Sequence, residues 1–298
     1  MELSLELILD AHAMIAETPF WDQEKRVVYW TDLSGRSVHI YNPTTGKDKE
    51  IGVRELTGTV IKRKSGGVIV ALENSIVSVD TTSGQIKPLQ VVEQGIPENR
   101  LNDGKCDAKG RLWISTAPKE FAQYGMALKP TGKLYCVDTD LRVTVHDDGF
   151  HMYNGIVWNK SNTKMYIVDT ANFKILSFDF DLEMGTISNK EVIVDVPKDF
   201  GYPDGMCMDE ENNIWLAHWG GYQITKWNSQ TRELINRISV PAPFVTCCAF
   251  AGDNLDDLYI TSAIADMDEA ALLEHPYAGG IFRLKTSTKG LESFMFGG

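Results

Sequence analysis

The stretch Asp103-Gly104-Lys105-Cys106-Asp107, followed after a short turn by Arg111-Leu112-Trp113-Ile114-Ser115, decides the fold. It reads as a short strand, a polar turn and a second strand of aromatic and aliphatic residues ending in a small one, the pattern of a β-hairpin. The same unit recurs along the chain, as residues 17–22 with 28–32, 57–61 with 67–71, 154–158 with 164–169, 204–209 with 213–217, and 246–250 with 257–261. The markers Tyr29, Ile69, Trp113, Tyr166, Trp215 and Tyr259 fall 40 to 53 residues apart. That spacing matches the ~40–50 residues of a propeller blade. Turns such as Asn42-Pro43-Thr44-Thr45-Gly46, Asp80-Thr81-Thr82-Ser83-Gly84 and Asp181-Leu182-Glu183-Met184-Gly185 supply third and fourth strands.

The expectation is an all-β, six-bladed β-propeller with four strands per blade, a single domain over residues 1–298. The strand near residues 3–9 has no blade of its own. Pairing it with the strand near residues 279–284 would close the ring and remove an exposed edge. One helix is expected over residues 268–275, capped by Asp268 and stopped by Pro276.

Composition narrows the function. The 298 residues are 43% hydrophobic, enough for a substantial core, and 29 Lys and Arg against 41 Asp and Glu give a net charge of −12. No broad basic field is available to neutralise a phosphate backbone, so nucleic acid is excluded as a partner. The N-terminus lacks the basic and apolar regions of a secretory signal. No run approaches the ~20 apolar residues of a membrane span. The five cysteines are odd in number and dispersed, without Cys-x-x-Cys, which argues against a disulfide framework and a thiolate zinc site. These features together give the expectation of a cytoplasmic protein with no membrane partner. Serine-hydrolase elbows, zinc-protease helices, phosphate loops and dinucleotide-binding glycine motifs are missing from the sequence.

Aligning the repeats turns their register into a map, because the first strand of every blade lines a propeller's central channel. Before the glycine-like position stand Glu17, Thr57, Asp103, Asn154, Asp204 and Thr246. Glu17, Asp103, Asn154 and Asp204 carry hard oxygen donors, and carboxylates converging without a counter-charge call for a divalent cation. Asp-Gly and Asn-Gly also begin strands simply as good turns, but that does not account for Glu17. The register leaves open which of these residues bind a metal. The six histidines show no ligand spacing; His151 and His218 fall nearest the inferred rim.

The segments 99–105 (Asn99-Arg100-Leu101-Asn102-Asp103-Gly104-Lys105), Tyr153-Asn154-Gly155, Tyr202-Pro203-Asp204-Gly205 and Ala278-Gly279-Gly280-Ile281-Phe282 give the chain a family likeness. It resembles the regucalcin, gluconolactonase and luciferin-regenerating-enzyme-like group of six-bladed propellers over nearly its whole length. The resemblance implies a lactonase dependent on one divalent metal ion (Ca, Zn, Mg or Mn) that converts a sugar lactone to its acid. It implies Glu17, Asn154 and Asp204 as metal ligands and Arg100, Asn102 and Glu120 on the substrate. Asp204 is the expected catalytic base, with Glu120 as its rival. The family pattern puts Asn102 in the pocket where the register points one residue away, to Asp103. A local strand irregularity would account for the offset. Alternative readings are another hydrolysis at a similar site, of an ester or phosphotriester, and a non-catalytic calcium-binding regulatory protein.

Overall fold

The computed structural model describes residues 4–119 and 129–298. After β1 (Leu5–Leu9), the chain builds antiparallel sheets in sequence order. The first holds β2 (Ala16–Asp22), β3 (Val27–Asp32), β4 (Ser37–Asn42) and β5 (Lys47–Gly52), and the second β6 (Val60–Lys62), β7 (Val68–Ala71), β8 (Ser75–Val79) and β9 (Ile86–Val91). The third holds β10 (Asn99–Cys106), β11 (Leu112–Pro118), β12 (Gly132–Val137) and β13 (Val143–Phe150). The fourth holds β14 (Tyr153–Trp158), β15 (Lys164–Asp169), β16 (Lys174–Asp181) and β17 (Thr186–Asp195). An eight-stranded sheet follows. It contains the run β18 (Tyr202–Met208), β19 (Asn213–Trp219), β20 (Gln223–Asn228) and β21 (Leu234–Ser239), and the run β22 (Phe244–Ala251), β23 (Asp257–Ala263), β24 (Ile281–Lys285) and β1. The two runs touch through one bridged pair, Trp219 with Phe244. The fold is all-β and propeller-like, with four-stranded blades.

The N-terminal strand pairs with the last one, Leu5 opposite Leu284 and Leu7 opposite Phe282. The expected helix is α1 (Glu269–Glu274). Asp268 caps it by accepting the Ala271 amide at 2.8 Å, and none of its residues is buried.

The repeat markers Tyr29, Ile69, Trp113, Tyr166, Trp215 and Tyr259 are all buried, each in the second strand of its run, where they form the packing between sheets. The turns behave as their composition predicts. Asn42, Asp80 and Asp181 accept amides two or three residues on, and the chain turns through Gly46, Gly84 and Gly185 with positive φ.

Less visible in the sequence is a second repeated device. Asp22, Asp107 and Asp209 end their first strands, and each accepts both turn amides and a donor from the second strand. These donors are Tyr29 OH at 3.1 Å, Trp113 Nε1 at 3.0 Å and Trp215 Nε1 at 3.1 Å. Each aspartate also meets a cation: Lys62, Arg111 and Lys226 respectively. Burial alone would raise the Asp22 carboxyl, yet Lys62 and the Lys25 amide hold it below the usual carboxylate range.

Candidate functional site

Five first strands carry a β-bulge at the register residues, between Glu17 and Phe20, Leu101 and Gly104, Asn154 and Ile156, Pro203 and Met206, and Val245 and Cys247. A bulge breaks the ladder and re-aims a side chain, leaving a carbonyl to be satisfied elsewhere. Hydroxyls from the preceding sheet supply that partner. Thr31 donates to Gly58 O at 3.1 Å, Thr59 to Gly104 O at 2.8 Å and Ser115 to Tyr153 O at 2.7 Å. Thr170 donates to Pro203 O at 2.8 Å and Thr246 to Ala16 O at 2.5 Å. Neighbouring sheets are thus stitched together where the functional candidates lie.

The Asp-Gly and Asn-Gly pairs sit inside strands rather than in turns. At Gly205 an added Cβ would lie 2.3 Å from Cys247 Sγ, so the glycine is there to let β18 approach β22.

One cavity of about 380 Å³ is lined by Glu17, Arg100, Asn102, Asn154 and Asp204, with Ile15, Leu33, Met152, Thr170, Tyr202 and Trp219 around them. The sequence-predicted residues in the described segments therefore come together. Glu120 lies outside the described residues. Asn102 lines the cavity and Asp103 does not, with the strand irregularity between Leu101 and Gly104 shifting the register.

Hydrogen bonds hold the polar wall in a continuous line. Buried Arg100 donates to Asn102 Oδ1 at 2.7 Å, and Asn102 donates to Asn154 Oδ1 at 2.5 Å and to Tyr153 O at 3.0 Å. Asn154 then donates to Thr170 Oγ1 at 2.9 Å. This line fixes the Asn154 amide with its oxygen toward Asn102 and leaves that oxygen a second lone pair.

The carboxylates are far from their ordinary state. Burial, then the charge of Asp103, pushes Glu17 up to about 8, against the Thr18 amide, Arg100 and Lys105. Asp204 is raised well above the carboxylate range by burial and by Glu17 and Asp103. Asp103 is raised by burial, and neither of its oxygens has a well-formed hydrogen bond. Three buried carboxyls thus act on one another, with Arg100 opposing Glu17 and Asp204 and Lys105 opposing Glu17 and Asp103, an arrangement that stores affinity for positive charge.

Bulged first strands and a polar cavity with crowded carboxyls define a propeller-like protein with an acidic site. The chain belongs to the SMP-30/gluconolactonase/LRE-like family, whose region matches residues 15–264. It is 31% identical over 289 residues to the Bacillus subtilis (strain 168) protein YvrE, assigned as a sugar lactone lactonase, with 97% of each chain covered. To regucalcin of Danio rerio it is 30% identical over 300 residues, 99% of each. A solved luciferin-regenerating enzyme superposes with a TM-score of 0.91 at 30% identity, covering 99% of both chains.

Among the described residues no helix is long and apolar enough to cross a membrane. Nor does any group of three or more His, Cys, Asp or Glu side chains there form a metal site by itself, so a cation would need the Asn154 amide as well.

Proposed function

We propose that this chain hydrolyses a sugar lactone to the corresponding acid, using one divalent cation held by Glu17, Asn154 and Asp204. The observation that carries the reading is the convergence of those three side chains with Arg100 and Asn102 on a single cavity. The family and the YvrE relative support the choice of substrate class. The residues fit such an ion: two carboxylates and an amide oxygen are hard donors suited to calcium, magnesium or manganese, and acceptable to zinc. Without a cation, Glu17 and Asp204 are driven toward protonation. When bound, the ion supplies Lewis-acid polarisation of a carbonyl oxygen.

The chain's own groups do the rest. Asn102 and Arg100 hydrogen-bond the ring hydroxyls, and Arg100 pairs with the carboxylate of the product. Asp204 takes a proton from the attacking water, whose oxygen bonds to the carbonyl carbon. The ring C–O bond then breaks, and Asp204 returns that proton to the leaving oxygen to make the hydroxyl. Glu120 is the rival base and a further substrate contact. Leu33, Met152 and Trp219 limit the water that reaches this face.

The test is a panel of aldonolactones assayed with and without chelator. Asp204→Ala and Glu17→Ala are expected to lose hydrolysis and metal binding together while keeping β-sheet circular dichroism. Near-wild-type turnover by metal-stripped Asp204→Ala would overturn the assignment. Arg100→Ala should raise KM with metal affinity largely kept. The similarity to regucalcin favours one second reading, a non-catalytic metal-binding protein. Tight metal binding with no turnover on any lactone or phosphotriester would support it.

Within the same proposal the blades number six, in one domain over residues 1–298 closed by β1 on β24, and the protein works in the cytoplasm. A crystal structure counts the blades, and cell fractionation tests the compartment.

A further inference from the structure

The strands that build the acidic cavity continue past their bulges into a second, larger one. This lower cavity, of about 890 Å³, is lined by the later residues of β2, β6, β10, β14 and β18 and by the C-terminal segment. Its walls are mainly apolar, with Phe20, Ile61, Val157 and Met208 facing Leu291 and Phe294. The C-terminal segment is pinned on both sides of the cavity. Leu291 N donates to Met208 O at 3.0 Å, Phe294 bridges to Cys106, and Phe296 N donates to Lys62 O at 2.9 Å.

Polar capacity in this apolar space is left unused. Lys105 donates to Met206 O at 2.5 Å, which leaves two of its three ammonium protons. Trp158 is 6% exposed, lines the cavity, and its indole Nε1 has no hydrogen-bond partner. Asn162 Oδ1, on the same wall, is also buried without a donor. Buried N–H groups are nearly always paired, so the orphaned indole marks a place for an acceptor, and Lys105 lines the same cavity. Lys160 and Glu292, of opposite sign, both line the cavity too, so charge selection rests on Lys105.

We propose that the lower cavity binds a small organic anion with an apolar body, of the medium-chain or aryl-alkyl carboxylate class. The carboxylate sits on Lys105 and the Trp158 indole, and the body lies against Phe20, Ile61 and Phe294. Apolar walls with a few placed polar groups are the usual recipe for a small-molecule site. A sugar would leave its hydroxyls unpaired against these walls. A phosphate-rich ligand would find only Lys105 and Lys160, with Glu292 opposing it. The cavity is distinct from the acidic one, although the Lys105 charge also acts on Glu17 and Asp103, and its ligand does not depend on the lactonase reading.

The experiment is calorimetric titration of the full-length protein at neutral pH with octanoate and with 1-octanol. Nuclear magnetic resonance follows the Trp158 indole N–H, assigned with Trp158→Phe. Expected are saturable one-to-one octanoate binding, octanol weaker by at least ~10-fold, and a downfield shift of the Trp158 resonance. Lys105→Met should abolish the preference for octanoate, and Ser293→Trp, which fills the cavity from the C-terminal segment, should weaken both ligands. Thermal melts monitor folding of each variant. If Lys105→Met fails to fold, the indole shift and Ser293→Trp still decide. Absence of saturable octanoate binding, equal affinity for the two ligands, or an unmoved Trp158 signal would each overturn the proposal.

Discussion

At Gly205 the channel is too narrow for a side chain, because β18 and β22 approach to where a Cβ would meet Cys247 Sγ at 2.3 Å. Gly205→Ala must push the strands apart. We expect a loss of about 1–3 kcal/mol in urea unfolding, together with weaker metal binding through displacement of neighbouring Asp204. His218 makes a different residue-scale prediction. It is fully buried on β19, and its Nε2 lies 2.7 Å from Thr225 Oγ1, which itself accepts from Trp227 Nε1 at 2.7 Å. Burial, helped by Arg237, pushes His218 down to about 4 from an ordinary 6.5. Between those values the unfolded chain binds the extra proton and the folded one does not, so stability falls as pH drops through this window. The loss reaches about 3 kcal/mol at its lower end. Denaturation from pH 7 to pH 4 in wild type and His218→Gln should show a shallower slope in the variant.

The third-to-fourth-strand turns are an element-scale device, and two copies, β12–β13 with Leu141 at φ +68° and β20–β21, put a side chain at positive φ. In β20–β21, Asn228 accepts the amides of Gln230 and Thr231, and the Arg232 amide donates to Asn228 O at 2.9 Å, as in the turns that end at Gly46, Gly84 and Gly185. Arg232, however, takes φ +67°, where those three turns have glycine. A side chain in that region costs about 1–2 kcal/mol, and its exposed ion pair with Glu191 returns little. Arg232→Gly should raise stability by about 0.5–1 kcal/mol, read as an increase in melting temperature. The apolar repeat and the turns were legible because both are local. The aspartate anchors at Asp22, Asp107 and Asp209 were also in the sequence, six or seven residues before their aromatic partners, but a search for apolar periodicity passes over them.

On the scale of the whole molecule, the chain ends do structural work. The segment after β24 runs beneath the channel, and Phe296 is fully buried against the core that includes Val60, Ile61 and Leu112. Phe296→Ala should cost about 3–5 kcal/mol in urea unfolding. At the other end, β1 covers the edge of β24. Deleting residues 1–10 would bare that edge, and we expect aggregation on heating, measured by light scattering, that the full chain does not show. The convergence of Glu17, Asn154 and Asp204, more than one hundred and eighty residues apart in sequence at the extremes, also belongs to this scale.

The sequence by itself determined the strand period, the turn chemistry, the capped helix and the register that includes Glu17, Asp103, Asn154 and Asp204, since each depends on residues a few positions apart or on repetition of such a unit. Tertiary structure supplied the reason that Asn102 rather than Asp103 lines the cavity, as the resemblance implied: a bulge shifts the facing by one residue. It alone placed the glycines at strand contacts instead of turns, and brought Lys105, Trp158 and the C-terminal segment around a second cavity. Those outcomes depend on distances between strands from different sheets, and a linear pattern carries the period of a strand but not the gap to its neighbour across the channel.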